Sequence, residues 1–314
     1  MTVLVTGANG FVGRWVVRAL LAAGHTVVGA TGPGGSAGDM DEAERRQVVW
    51  VPMDLGDQDS VWGIAARNWD AVIHLAGYAS AAQAMRDPGA AWLVNAAGTA
   101  RVVGALGERR ARGECDPLVV AVSSADVYAA QTRPLVESDA IGPRSPYGAS
   151  KRGAELAAEE TAYRTGLRVV TVRPFPHTGP GQDARFVAPA FARRLLLARR
   201  EKLRVVNVGN LEVIRDLTDV RDVADAYVAL LTRGVPGQIY NVASGTGIVL
   251  ADLFHRLAGI VGVDAIPESD AAFLRAADLP YLVGDASKLR AATGWQPRIA
   301  LDDTLRDLVH AQTD

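Results

Sequence analysis

A tyrosine and a lysine four residues apart, in Tyr147-Gly148-Ala149-Ser150-Lys151, open a stretch that reads as a helix running on through residues 152–165. Side chains at i and i+4 share a helix face, so this phenol and this ammonium can act on one substrate atom. A free tyrosine has a pKa of about 10, and a positive charge beside it stabilises the phenolate and brings it nearer to working pH. Tyr147 is then a usable acid or base. A hydroxyl is offered by Val122-Ser123-Ser124-Ala125-Asp126-Val127-Tyr128, which ends the fifth apolar run of the chain. Ser124 can hydrogen-bond the oxygen on which Tyr147 acts, steadying charge as a carbonyl becomes an alkoxide. Taken singly, each signal has a plain alternative: a Tyr–Lys pair at this spacing arises by chance in many helices, and Ser124 can simply cap a strand end. Their positions, a hydroxyl after the fifth strand and the pair at the start of the helix that follows, favour chemistry.

A second group of residues points to a ligand. Thr6-Gly7-Ala8-Asn9-Gly10-Phe11-Val12-Gly13 follows an apolar run at 3–5 and opens a predicted helix over 11–23 that stops at Gly24. In that setting Gly7 permits the tight turn, Gly10 lets the backbone approach a pyrophosphate, and Gly13 allows helix and strand to pack closely. The helix N-terminus faces the negative charge, and a dinucleotide is implied. An acid at the end of the second strand would bond the adenosine ribose and favour NAD(H), but that place reads Gly29-Ala30-Thr31-Gly32. Thr31 can donate to a 2′-phosphate and Arg14 can reach one, so NADP(H) is favoured and NAD(H) stays open. Asp54-Leu55 is expected to end the third strand beside the adenine amino group. His74-Leu75-Ala76-Gly77 is expected to end the fourth beside the nicotinamide ribose, with His74 reading equally as a packing residue.

These residues need a frame. Val-rich apolar runs at 3–5, 27–29, 48–52, 71–75, 118–122 and 168–172 alternate with helix-like segments, as parallel strands covered on both faces do. The expected fold class is α/β, a doubly wound parallel Rossmann sheet with a smaller C-terminal substrate-binding lobe. The beat breaks after Arg173-Pro174 in a Pro/Gly-rich segment, 174–181, and a strand at 237–242 follows a helix-like stretch at 220–232. The boundaries drawn are 1–173 with 216–243 for the dinucleotide unit, and 174–215 with 244–314 for the substrate unit. Residues 32–38 read as a Gly-rich loop, and the run 193–200, where arginines alternate with Leu195, Leu196 and Leu197, as one solvated helix face.

Composition narrows the partners. The chain has 314 residues, 49% hydrophobic and 22% charged, with a net charge of −2, which gives ample core and no basic footprint for nucleic acid. The single cysteine, Cys115, can form no internal disulfide and has no metal-ligand spacing around it, so no metal site is expected. The first strand begins almost at the N-terminus and no apolar stretch is long enough for a bilayer. A cytoplasmic protein without a membrane partner is the expectation.

With TGANGFVG, SSADVY and YGASK in order, the chain resembles the extended short-chain dehydrogenase/reductases that act on sugar nucleotides as epimerases, dehydratases and reductases. The resemblance implies that Ser124, Tyr147 and Lys151 are catalytic, that Lys151 also bonds the nicotinamide ribose, and that Asn95 is the family's structural asparagine. It extends the cofactor site to Gly7, Asn9, Gly10, Phe11, Val12, Gly13, Thr31, Asp54, Leu55, Leu75, Ala76, Gly77, Tyr147, Lys151 and Pro174. The segments from Arg173 to Gln182, from Val208 to Asp216 and from Leu274 to Pro280 are similar to those of GDP-4-keto-6-deoxy-D-mannose reductases. That likeness implies a GDP-sugar, with Ser124, Ala125, Asp126, His177, Arg215 and Arg275 on the substrate and the two arginines on its diphosphate. Pro176 stands where that branch usually has asparagine, and Ala276 and Asp278 where it has a proline and an acid, so base and sugar stay open. Ala125 after Ser124 disfavours a 4,6-dehydratase, although Asp126 stands where those enzymes place a glutamate base. Reduction at C4 is expected, with a 4-epimerase holding NAD, or a silent sugar-nucleotide or NADP binder, as alternatives. A homodimer is expected through the helices near 95–108 and 147–165, where Ala96, Ala97, Ala100, Ala154, Ala157 and Ala158 would permit close approach or pack internally.

Overall fold

In the computed structural model, which describes residues 1–35, 37–38, 40–273 and 279–313, seven parallel strands form the central sheet. They are β1 (Thr2–Thr6), β2 (Thr26–Thr31), β3 (Val48–Pro52), β4 (Ala71–His74), β5 (Leu118–Val122), β6 (Arg168–Pro174) and β7 (Ile239–Val242), in the spatial order β7-β6-β5-β4-β1-β2-β3. The strands are buried on both faces because helices cover both, and their cores separate accordingly. Val3, Val5, Ile73, Val120 and Val172 pack to one side, and Leu4, Val72, Val119 and Val169 to the other. Strand order reverses between β1 and β4, whose neighbouring C-terminal ends lead into Gly7 and Leu75. In open α/β sheets the crevice at such a reversal is where ligands bind.

Two features of the frame differ from expectation. The third strand ends at Pro52, so Asp54-Leu55 lies in the turn beyond it, where Gly56 donates to the Asp54 carboxylate at 2.8 Å. The helix before β5 is also interrupted by a single wide π-turn, Leu93–Ala97, which no periodicity in the sequence marks and which carries Asn95.

Beyond β6 the chain builds a second core from the helices Val187–Glu201, Leu250–Val261 and Leu301–His310. It returns in between, because helix Val220–Arg233 packs on helix Phe11–Ala22 and β7 adds to the sheet edge beside β6. Asp216 ties the crossing together: its buried carboxylate accepts the amides of Ser244 (2.9 Å), Gly245 (2.9 Å) and Gly284 (3.3 Å). The arginine run lies on helix Val187–Glu201 with Leu195 inside and Arg193, Arg199 and Arg200 outside, as a solvated face requires.

That helix ends on Lys202 at φ 55, ψ 36, in the left-handed conformation that closes three other helices on Gly166, Gly262 and Gly294. A residue with a Cβ is strained there by about 1–2 kcal/mol. Lys202→Gly is expected to stabilise the protein by about 1 kcal/mol in urea unfolding; an unchanged or lower midpoint would contradict this reading of the cap.

Candidate active site

Every catalytic candidate sits at the open, C-terminal edge of the sheet. Beyond β5, Ser124 accepts the Asp126 amide at 3.1 Å and caps the one-turn helix Ala125–Val127, while its hydroxyl also meets the Asp126 carboxylate at 3.2 Å. Helix Pro146–Thr165 begins directly against that turn. Ser145 caps it by accepting the Gly148 amide at 3.1 Å, and a Cβ on Gly148 would overlap the Asp126 carbonyl oxygen. This close approach sets Tyr147 beside Ser124. Enclosure of the Tyr147 hydroxyl raises its pKa, the nearby Asp126 carboxylate raises it further, and the Ser124 hydrogen bond works the other way. The phenol keeps its proton.

Lys151 lies one turn further along. Its Nζ donates to the Val122 carbonyl at 2.9 Å, and burial pushes its pKa down from 10.5 to about 8, with Glu155 opposing the fall. Gly77, at the end of β4, brings backbone alongside: a Cβ there would come 3.4 Å from Lys151 Nζ and 2.7 Å from Asn95 Oδ1. Asn95 is architectural, as expected, accepting the Tyr78 amide at 2.7 Å and donating to Ser150 Oγ at 2.9 Å. His74 resolves as a packed, positioning group. Its ring lies between Thr6 Oγ1 (2.8 Å) and Thr99 Oγ1 (3.1 Å), and Thr6 also accepts the Ala76 amide at 3.0 Å. Burial and the Lys151 charge push its pKa down to about 3, so it is neutral. The Thr6 proton can then go to Nδ1 and the Nε2 proton to Thr99, which satisfies the whole chain of bonds.

The glycine turn fits a dinucleotide. Gly7 has φ +67, and a Cβ there would lie 2.9 Å from Ala76 N and Cα, while one on Gly13 would overlap the Gly7 carbonyl oxygen. A side chain at either position would fill the cradle or push the helix off the strand. Asn9 and Thr31 face the loop after β2, and Thr31 Oγ1 donates to Gly35 O at 3.1 Å. Arg14 is buried and donates to Gly181 O at 3.1 Å, so it ties the turn to the segment after β6. Phe11, at the first helical position, stacks on His177 with centroids 6.2 Å apart and rings within 6° of parallel, and His177 Nδ1 donates to Phe175 O at 2.9 Å. Leu75 and Ala76 lie against Gly7, Val12 packs on the core beneath, and Pro174 ends β6 beside Val242. Leu55 packs beneath Gly98. Arg215 donates to Ile214 O (2.8 Å) and Leu279 O (2.7 Å), while Arg275 lies outside the described residues. Among the described residues no cluster of three or more His, Cys, Asp or Glu side chains is placed to hold a metal ion.

One pair escapes the motifs. Glu155 and Arg173 meet in a buried two-bond ion pair (2.8 and 3.0 Å), each side chain 2% exposed. Glu155 repeats the Tyr147–Lys151 spacing once more, which is the only signal the sequence offers for it.

With this geometry in view, the comparisons identify the class. Residues 3–243 match the NAD dependent epimerase/dehydratase family, more than half of the chain, and the protein belongs to that family. A GDP-6-deoxy-D-mannose reductase of Pseudomonas aeruginosa is 35% identical over 311 residues, 97% of this chain and 95% of that one. Of solved structures, RMD from Pseudomonas aeruginosa complexed with NADPH has a TM-score of 0.82 at 33% identity, covering 99% of this chain and 98% of that one. The UDP-glucose 4-epimerase of Thermus thermophilus, complexed with NAD, has a TM-score of 0.84 at 28% identity with the same coverage. The extended short-chain dehydrogenase/reductase expected from the sequence is thus the fold found.

Gly13→Ala is expected to weaken NADPH or NADH binding at least tenfold, followed by tryptophan fluorescence. Gly63→Ala, at a helical glycine with open space around it, should leave binding unchanged. Equal binding by the Gly13 variant would refute the cradle.

Proposed function

We propose that this chain is a sugar-nucleotide oxidoreductase that reduces the C4 ketone of an NDP-4-keto-6-deoxyhexose, with GDP-4-keto-6-deoxy-D-mannose to GDP-D-rhamnose as the leading case. The observation that carries this reading is the meeting of Tyr147, Ser124 and a dehydrated Lys151 beside the glycine turn at the strand-order reversal. Likeness to the Pseudomonas aeruginosa reductase supports the substrate, and its NADPH complex favours NADP(H) over NAD(H).

In this reading residues 1–173 and 216–243 hold the cofactor and residues 174–215 and 244–314 the sugar nucleotide. Gly7, Asn9, Gly10, Phe11, Val12 and Gly13 hold the diphosphate, Thr31 and Asp54-Leu55 the adenosine, and Leu75, Ala76, Gly77 and Pro174 flank the nicotinamide end. Bound there, the reduced nicotinamide supplies a hydride to the ketone carbon. Tyr147 gives its proton to the ketone oxygen, Ser124 donates a hydrogen bond to that oxygen, and the Lys151 ammonium offsets the charge left on the phenolate. Ala125, Asp126 and His177 face the sugar, and Arg215 and Arg275 turn to its diphosphate, for which forked guanidinium donors are suited. Pro176 offers no amide donor where related reductases have asparagine, so those neighbours carry the recognition.

The enzyme would work in the cytoplasm as a homodimer. No described helix is long and apolar enough to cross a membrane. Trp92 (46% exposed), Leu156 (52%) and Tyr163 (95%) give the helical flank an apolar face, while Ala154 and Ala158 are covered within the chain and Ala96 is half-buried. In sedimentation the protein should run as a dimer and Leu156→Glu as a single chain; a monomeric parent protein would dismiss the dimer.

Purified protein should oxidise NADPH when given GDP-4-keto-6-deoxymannose. Tyr147→Phe should bind both ligands yet lose roughly 100-fold or more in kcat. Lys151 carries its charge below its pKa and loses it above, so the rate should hold at neutral pH and fall as pH rises through about 8. Interconversion of UDP-glucose and UDP-galactose without added reductant would instead establish a 4-epimerase.

A further inference from the structure

We propose that Glu155, gripped by Arg173, is a positioning residue that fixes the helix face presenting Tyr147 and Lys151 and keeps the Lys151 ammonium charged. Its role in hydride and proton transfer rests on the reduction reading above; its effect on Lys151 does not.

The argument starts from placement. Tyr147, Lys151 and Glu155 follow one another at i, i+4 and i+8 on helix Pro146–Thr165, so all three lie along one face. Glu155 is 3% exposed and closes that face against β6, where Arg173 Nε and Nη2 take both its oxygens. Arg152 adds a third bond at 2.8 Å. Arg173 is anchored in turn: it lies 4.7 Å over the Tyr128 ring and donates to the Glu137 carbonyl at 3.2 Å. The pair therefore couples the helix to β6 and to the segment that follows Ser124, the three pieces that must meet for chemistry.

A buried ion pair is an expensive way to join a helix to a sheet, because apolar side chains of similar size often do it as well or better. What apolar residues cannot supply is a negative charge one turn from a dehydrated ammonium. The groups around Lys151 are otherwise unhelpful to its charge: His74 on β4 is neutral, Tyr147 on its own helix is a protonated phenol, and Asp126, beyond β5, has Ser124 as partner. Glu137, behind Arg173, accepts the Asn241 amide at 2.8 Å. Glu155 is the group that opposes the loss of the Lys151 proton.

Lysine occurs in this sequence only at positions 151, 202 and 288, so Lys151 can be titrated by itself. In protein carrying isotope-labelled lysine, the buried Lys151 resonance is followed by NMR against pH, with no substrate present. Glu155→Gln should move its midpoint down by about one pH unit or more. That variant also strands a buried guanidinium and can fail to fold, so Glu155→Gln with Arg173→Met is the second arm. The double variant should regain the parent's melting temperature while keeping a lowered midpoint. In the NADPH assay the alkaline fall in rate should shift down with it. An unmoved Lys151 midpoint in the folded double variant would overturn the proposal and leave the pair as a fastening. A shifted midpoint in a protein that reduces no ketone would uphold the inference and reject the proposed reaction.

Discussion

A single ammonium held out of water at the open edge of the sheet sets the terms for the groups around it. Lys151 is 7% exposed and bonded to the Val122 carbonyl. The fall of its pKa from 10.5 to about 8 corresponds to roughly 3 kcal/mol of lost preference for the charged form. That cost is tolerable only where something useful follows from it. A dehydrated cation one turn from a phenol can offset the charge left on the phenolate once the proton has gone, because the medium between them screens little. Its neighbours are consistent with that use: His74 is kept neutral by burial and by Lys151 itself, Gly77 lets backbone and Asn95 pack close to Nζ, and Glu155 returns part of the lost charge preference.

The frame exists to bring these groups together from distant parts of the chain. β4 delivers Gly77, β5 delivers Ser124 and the Val122 carbonyl, and the helix after β5 delivers Tyr147 and Lys151. Close contacts made possible by missing side chains complete the assembly, at Gly148 against Asp126 and at Gly13 against Gly7. The second lobe is joined to this edge through Arg14 on Gly181, through the Phe11–His177 stack, and through the Asp216 carboxylate that gathers amides from two returning segments.

Much of this was legible in the sequence, for a reason that can be stated locally. Val-rich runs between helical stretches give the sheet, and a glycine turn, a hydroxyl and a Tyr–Lys pair at fixed offsets give the site, because each follows from periodicity or from backbone needs within a few residues. What was not legible depends on contacts between segments far apart. Arg14, next to the last glycine, reads locally as placed to meet a 2′-phosphate, yet its guanidinium bonds a carbonyl 167 residues further on. Thr31 Oγ1 likewise donates to Gly35 O, a contact that only the folded loop makes. The Glu155–Arg173 pair links residues 18 apart through three-dimensional packing alone, and the π-turn that carries Asn95 leaves no trace in hydrophobic pattern.

The claim that matters most is that Tyr147 and Ser124 act on one oxygen beside one nicotinamide, with Lys151 next to the phenol. A crystal structure of the protein with NADPH and a nucleotide-linked hexose would test it directly. The Tyr147 and Ser124 hydroxyls should both lie within about 2.6–3.2 Å of the sugar C4 oxygen, with Lys151 Nζ reaching the nicotinamide ribose. A complex in which the sugar ring lies away from Tyr147, with the Lys151 ammonium still engaged only by the Val122 carbonyl, would contradict the account.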